Sequence, residues 1–224
     1  MSTEIRVALL GGTAALRSAR REILATNSNL KVVFDSDGFA VTPEQLIEVN
    51  FDVLIAELRL DGSSALDYLK AMHTLAKVQG KGFGRVLIAS QFSDEKLRLQ
   101  AIQAGALDAA FVSEGMAALI SKIENCLDEY SDYAIRELIT QIPKPEVSQA
   151  EFQAVAIALD TLDEREAKIV KAFCELKTDA QISSAVHVPK LKVRQTLTKV
   201  QNLLQLDTRS QLLLKMFSLG ALAL

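Results

Sequence analysis

LDEREAKIVKAFCELKTDAQISSAVHVPKLKVRQTLTKVQNLLQL, residues 162–206, decides the fold of the C-terminal third of the chain. Asp179 is placed to cap a short helix, AQISSAV (180–186). A tight turn at His187–Val188 follows. Pro189 then opens a longer helix, KLKVRQTLTKVQNLL (190–204), at a position where its missing N–H costs nothing. Short helix, tight turn and longer helix together predict a helix-turn-helix.

The longer helix has two faces. Val193, Leu197, Val200 and Leu204 recur at helical spacing and are predicted to point inward, with Leu191 partly on the apolar side. Lys190, Lys192, Arg194, Gln195, Thr198 and Lys199 are left to project outward. Four bases with no acid make a surface that attracts phosphates. Arg194, Gln195 and Thr198 are side chains able to read base edges in a major groove. The pattern is equally that of a solvated basic face.

Residues 162–206 resemble, without a gap, the LuxR-type helix-turn-helix of NarL-like response regulators. LDEREAKIV stands where that family reads L-T-x-R-E-x-x-V-L, and Asp179–Ile182 resembles its N-x-x-I-A. VPKLKVRQTLTKVQNLLQL resembles its I-S-x-x-T-V-K-x-H-x-x-x-I-x-x-K-L-x-V. Leu176 and His187 occupy positions where the family usually has Gly, Lys192 replaces its Thr, and Thr196 its His. By this resemblance Lys190, Lys192, Arg194 and Lys199 touch DNA backbone, while Arg194, Gln195 and Thr198 face bases.

The rest of the C-terminal region contains no strand pattern. Helical segments are predicted at about 149–159, 163–175, 179–185, 189–204 and 208–219. Upstream, a helical stretch over 115–140 stays unbroken until Pro143 and Pro145 stop it, marking a linker at 126–148.

The first 125 residues alternate two textures. Apolar runs at 5–10, 30–35, 52–57, 85–90 and 109–112 read as buried strands. Amphipathic stretches at 14–26, 42–49, 63–78 and 94–104 separate them, and the stretch from 115 comes after the last. Five such alternations predict an α/β fold, a doubly wound (flavodoxin-like) five-stranded parallel sheet. The expected organisation is therefore 1–125, a linker at 126–148, and a small all-α domain at 149–224.

FDVLIAELRLDGSSALDYLK (51–70), RVLIASQFSD (85–94) and AIQAGALDAAFVSEG (101–115) resemble response-regulator receivers. The resemblance implies an acidic pair for Mg²⁺ after the first strand, a nucleophilic Asp ending the third, Ser/Thr ending the fourth and Lys ending the fifth. Gly11 and Gly12 stand at the acidic pair, and glycine offers a metal no side-chain oxygen. Glu57 replaces the Asp, Ser90 keeps the hydroxyl, and the lysine position holds Glu114 or, without an inserted residue, Val112. Phosphoryl transfer would lack most of its charge stabilisation, so a receiver without phosphorylation chemistry is expected. Glu57 is then either a fixed charge that mimics a permanently active state or a structural carboxylate. Gly11-Gly12-Thr13 is either a plain turn or, with its N–H groups, an anion site in an emptied pocket.

Composition narrows the classes. Net charge is −3, yet residues 1–149 hold 15 Lys/Arg against 20 Asp/Glu and residues 150–224 hold 10 against 8. Cys126 and Cys174 form no metal or disulfide pattern, which suits a reducing cytosol. No signal-peptide pattern opens the chain and no apolar run reaches bilayer length, so a cytoplasmic protein without a membrane contact is expected. His73 and His187 form no catalytic arrangement, so neither an enzyme nor a bound cofactor or metal is expected. The expected partners are double-stranded DNA and a second copy of the chain, with a small molecule or protein at the receiver as a further possibility. The alternative is a protein-binding adaptor or small-molecule sensor with weak or no DNA binding.

Overall fold

The computed structural model describes residues 4–38, 41–60, 63–81, 84–91, 93–127, 135, 138–140, 144 and 146–221. The chain forms two compact units, Met1–Asp128 and Glu129–Leu224.

The first unit is built on five parallel strands, β1 (Ile5–Leu10), β2 (Leu30–Ser36), β3 (Val53–Glu57), β4 (Arg85–Ser90) and β5 (Asp108–Phe111). They lie in the order 2-1-3-4-5. Five helices alternate with them: α1 (Ala14–Leu24), α2 (Pro43–Ile47), α3 (Ala65–Gln79), α4 (Glu95–Gln103) and α5 (Gly115–Cys126). The predicted α/β doubly wound sheet is therefore the fold of this unit. The stretch expected to run as helix to 140 is helical as α5 to Cys126, and most of 128–140 lies outside the described residues. A two-residue antiparallel pair, Arg59–Leu60 with Ser63–Ser64, sits between β3 and α3, where the sequence pattern predicts no strand.

The inner stretches of the strands, Val7–Leu10, Val53–Ala56 and Val86–Ala89, are apolar because both faces of the sheet are covered there. Ala8, Leu10, Leu54, Ala56, Val86 and Ile88 pack with Leu46 of α2, Leu69 and Met72 of α3, and Ala101 of α4. Their neighbours Val7, Leu9, Val53, Ile55, Leu87 and Ala89 pack with Leu24 of α1 and Ile123 and Cys126 of α5. This is period-two alternation with an apolar requirement on each side.

The second unit contains α6 (Gln149–Asp160), α7 (Glu164–Cys174), α8 (Asp179–Val186), α9 (Lys190–Leu203) and α10 (Arg209–Ser218). Four of these open with reciprocal capping boxes: Ser148/Glu151, Asp163/Glu166, Thr178/Gln181 and Thr208/Gln211. Asp179, expected to cap α8, is instead its first helical residue, because the Thr178–Gln181 pair takes the capping role. Pro189 likewise stands one residue outside α9, at its N-cap. Three helices end in the left-handed region: Leu176 after α7, His187 after α8 and Gln205 after α9 have φ of 57°, 55° and 56°. The first two occupy the positions where glycine is usual in the family pattern. Phe173, Ile182, Val193, Leu197, Val200, Leu212 and Leu213 are fully buried between these helices. Leu204, predicted to point inward, is only half-buried and stands at the C-cap of α9.

Candidate functional site

Ligands of open parallel sheets gather at the carboxyl ends of the strands. Here those ends carry Gly11 and Gly12 after β1, Glu57 at the end of β3 and Ser90 at the end of β4. Gly11 and Gly12 have φ of 85° and 84°. A Cβ on Gly11 would stand 2.6 Å from Leu60 Cδ2 and 3.0 Å from Glu57 Cβ, and one on Gly12 would stand 3.1 Å from Glu57 Cγ. Glu57 and Leu60 therefore fill the room that an acidic pair would need. The positive φ strains any larger side chain at either position, and Leu60 and Glu57 would have to shift to admit one.

Glu57 is not a lone charge. The guanidinium of Arg20, from α1, forms an ion pair with its Oε1, and the two side chains are 7% and 12% exposed. Arg17 Nε pairs with Asp35 Oδ1 at 2.6 Å, its Nη1 donates to Gly12 O at 2.5 Å, and Arg21 Nη1 reaches Asp35 Oδ2 at 3.1 Å. Helix α1 thus brings three arginines to the acids at the ends of β2 and β3. A divalent cation does not fit this set: the glycines offer no side-chain ligand, and guanidiniums already hold the carboxylates of Glu57 and Asp35. No group of acids, histidines or cysteines suited to a metal occurs among the described residues.

Two polar groups of the turn Gly11-Gly12-Thr13 are engaged locally. Gly11 N–H donates to Ser36 O at 2.8 Å, and Thr13 Oγ1 caps α1 by accepting from Leu16 N–H at 3.3 Å. Ser90 is buried at the end of β4, level with Phe111 of β5.

Strand β5 pairs with Leu87–Ser90 in unbroken register and ends at Phe111, so Val112 is the first residue past the strand. Glu114 lies two further on. Its carboxylate accepts from Phe111 N–H at 2.9 Å and from Lys122 Nζ at 2.8 and 2.9 Å. Lys122 also donates to Ala109 O at 2.6 Å and approaches Asp108 Oδ2 at 3.3 Å. Fully buried Asp108 is gripped from α4 by Arg98 through Nε at 2.7 Å and Nη2 at 3.2 Å. This network ties α4 and α5 to β5, and Glu114 belongs to it. The sequence carried one hint, a lone Asp inside the apolar run DAAF.

In the second unit, α9 presents the six predicted DNA-facing residues along one side. Lys190, Arg194, Gln195, Thr198 and Lys199 are exposed, and Lys192 is half-buried. Asn202, one turn beyond Thr198, extends the exposed row. Leu191, expected partly on the apolar side, is 64% exposed.

Two buried acids lie beneath this face. Glu166 of α7 receives Lys199 Nζ at 2.5 Å and Lys192 Nζ at 3.2 Å, and these bonds, that of Lys199 foremost, hold its carboxyl below the usual range. Asp179 of α8 is 1% exposed and meets Arg194 Nε at 3.4 Å and Arg209 Nη1 at 2.8 Å. Arg209 in turn lies 5.3 Å from the centre of the Phe173 ring. Sequence reasoning missed both acids as partners of α9.

Comparison with known proteins gives the architecture a context. No protein-family model and no curated relative matches the sequence. Among solved structures, the full-length FixJ of B. japonicum is similar over 99% of this chain and 100% of its own, at 18% identity and a TM-score of 0.48. RcsB of Salmonella typhimurium, a response regulator, is similar over 95% and 97% at 10% identity and 0.49. The receiver domain of the putative response regulator NarL from Mycobacterium tuberculosis is similar over 55% and 96% at 19% identity and 0.48. These are likenesses of architecture. The chain has a five-stranded parallel sheet of order 2-1-3-4-5 followed by a helix-turn-helix unit.

Proposed function

We propose that this protein is a DNA-binding transcriptional regulator, not an enzyme, that works as a dimer and is not switched by aspartyl phosphorylation. The observation that carries the reading is α9, whose apolar side is fully buried at Val193, Leu197 and Val200 while four bases, Gln195 and Thr198 line its other side. Such a helix can enter a major groove, with lysines on phosphates and Arg194 and Gln195 at base edges. Helix-turn-helix proteins commonly bind as dimers on half-sites about one helical turn apart, which supports the same stoichiometry here. The helix-turn-helix domain is assigned to 149–224, the receiver to 1–125 and the linker to 126–148.

Loss of phosphorylation is supported by the Arg20–Glu57 pair and by the filled space at Gly11 and Gly12. With its charge already matched, Glu57 serves the unit as a structural carboxylate better than as a substitute for a phosphoryl group. No described helix is long and apolar enough to cross a membrane.

One observation favours a second reading, a protein-binding adaptor: Lys192, Lys199 and Arg194 already engage acids of the same unit, which lowers the positive potential of the face. Genome-wide mapping of bound sites separates the two readings. A regulator gives discrete peaks that vanish in Arg194→Ala/Gln195→Ala, and an adaptor gives none that depend on these residues.

A further inference from the structure

Asp179 is the chain's own departure from the N-x-x-I-A pattern, and its surroundings are unusual for a surface helix start. It is not a cap, since Thr178 and Gln181 satisfy the helix terminus reciprocally. Its side chain is almost wholly buried, and a buried carboxylate persists only when it is matched by opposite charge. Two guanidiniums supply that charge. Arg209, 17% exposed and held over Phe173, anchors one oxygen from α10. Arg194, half exposed on the outer side of α9, is drawn to the other through Nε.

A long, flexible side chain on a DNA-facing helix would otherwise sweep over many phosphate and base positions. Drawing it inward by the Nε edge limits the directions in which its planar fork can point. An arginine of fixed orientation suits two-point recognition of guanine through O6 and N7, whereas a mobile one acts as a general cation.

We propose that Asp179 is a positioning residue that sets Arg194 for guanine recognition, with Arg209 balancing its charge. The inference rests on the DNA-binding reading above and adds to it a base and a determinant of specificity. Arg194 acts on the base; Asp179 acts only through Arg194.

The test is selection of bound sites from a random duplex pool, using the full chain and its variants, with salt dependence measured on the selected duplex. The wild-type chain is expected to enrich a guanine that Arg194→Ala no longer selects. Asp179→Asn should weaken preference at that same position alone, by a factor within the roughly 5- to 150-fold range of one bidentate contact. Asp179→Glu should restore part of it. Preference at other positions and the slope of affinity against salt should hold. Should Asp179→Asn fail to fold, the balanced pair Asp179→Asn/Arg209→Gln removes the carboxylate with its counter-charge and is expected to show the same single-position loss. Full guanine preference in either variant overturns the proposal, as does an equal loss at every position. A wild-type chain that binds no duplex overturns the DNA-binding reading itself, and this inference with it.

Discussion

Arg20 closes onto Glu57, so the end of β3 holds a matched ion pair rather than an available carboxylate. The pair is mostly buried; Arg20 stands on α1, which follows the glycine turn, and Glu57, whose side chain lies against that turn, stands on β3. Removing one partner strands a charge in the interior, which typically costs about 3–5 kcal/mol. Arg20→Met is therefore expected to destabilise the first unit by an amount of that order in urea denaturation. Arg20→Met/Glu57→Leu, which removes both charges, should recover most of the loss.

Restoring the acidic residues of an active receiver should not restore its chemistry. Gly11→Asp meets Leu60 and adopts an unfavourable positive φ. The triple variant Gly11→Asp/Gly12→Asp/Glu57→Asp is expected to take no phosphoryl group from acetyl phosphate in the presence of Mg²⁺, as read by a mobility-shift gel. Phosphorylation of that variant would show that Leu60 and Arg20 do not close the site.

Three helices of the second unit end on non-glycine residues at positive φ. His187 is exposed, so its side chain gives little in return for the backbone cost. His187→Gly should stabilise the unit by about 1 kcal/mol, the usual penalty of a left-handed residue with a Cβ. Thermal melts of the two chains check this, and an unchanged or lower Tm would contradict it.

Acid should loosen the second unit in a defined window. Hydrogen bonds from Lys215 hold Glu151 down at about 2, against 4.5 for a free group, and Glu166 is lowered chiefly by Lys199. A carboxyl whose pKa is lower folded than unfolded contributes stability that is fully present above the unfolded value. That stability is lost as pH falls through the folded value. Melting temperature should therefore decline below about pH 4.5, and for Glu151 the decline should extend toward pH 2. Glu151→Gln and Glu166→Gln should each flatten this acid limb and change little at neutral pH relative to their own plateau.

Most of the architecture was legible in the sequence because each layer leaves its own period. Strands covered on both faces need an apolar middle, and Val53–Ala56 of β3 and Val86–Ala89 of β4 supply it. The two-faced pattern of α9 likewise followed from Val193, Leu197 and Val200. Partnerships made by folding were not legible. Nothing local joins Arg20 to Glu57, Arg98 and Lys122 to Asp108, or Glu166 to Lys192 and Lys199. The cap of α8 is hidden for a different reason: Asp and Thr both cap helices, and the Gln three residues after Thr178 is the signal that decides between Thr178 and Asp179.

The most direct test of the central claim is fluorescence anisotropy of the full chain on a selected duplex across a salt series, with and without beryllofluoride and Mg²⁺. Log affinity should fall linearly with log salt at about 0.9 per phosphate contacted. Binding should be the same with and without the phosphoryl mimic and should be lost in Arg194→Ala/Gln195→Ala. A double variant that binds as tightly as wild type would contradict the claim that α9 is the DNA-reading helix, and affinity that rises with beryllofluoride would contradict the claim that phosphorylation has no part.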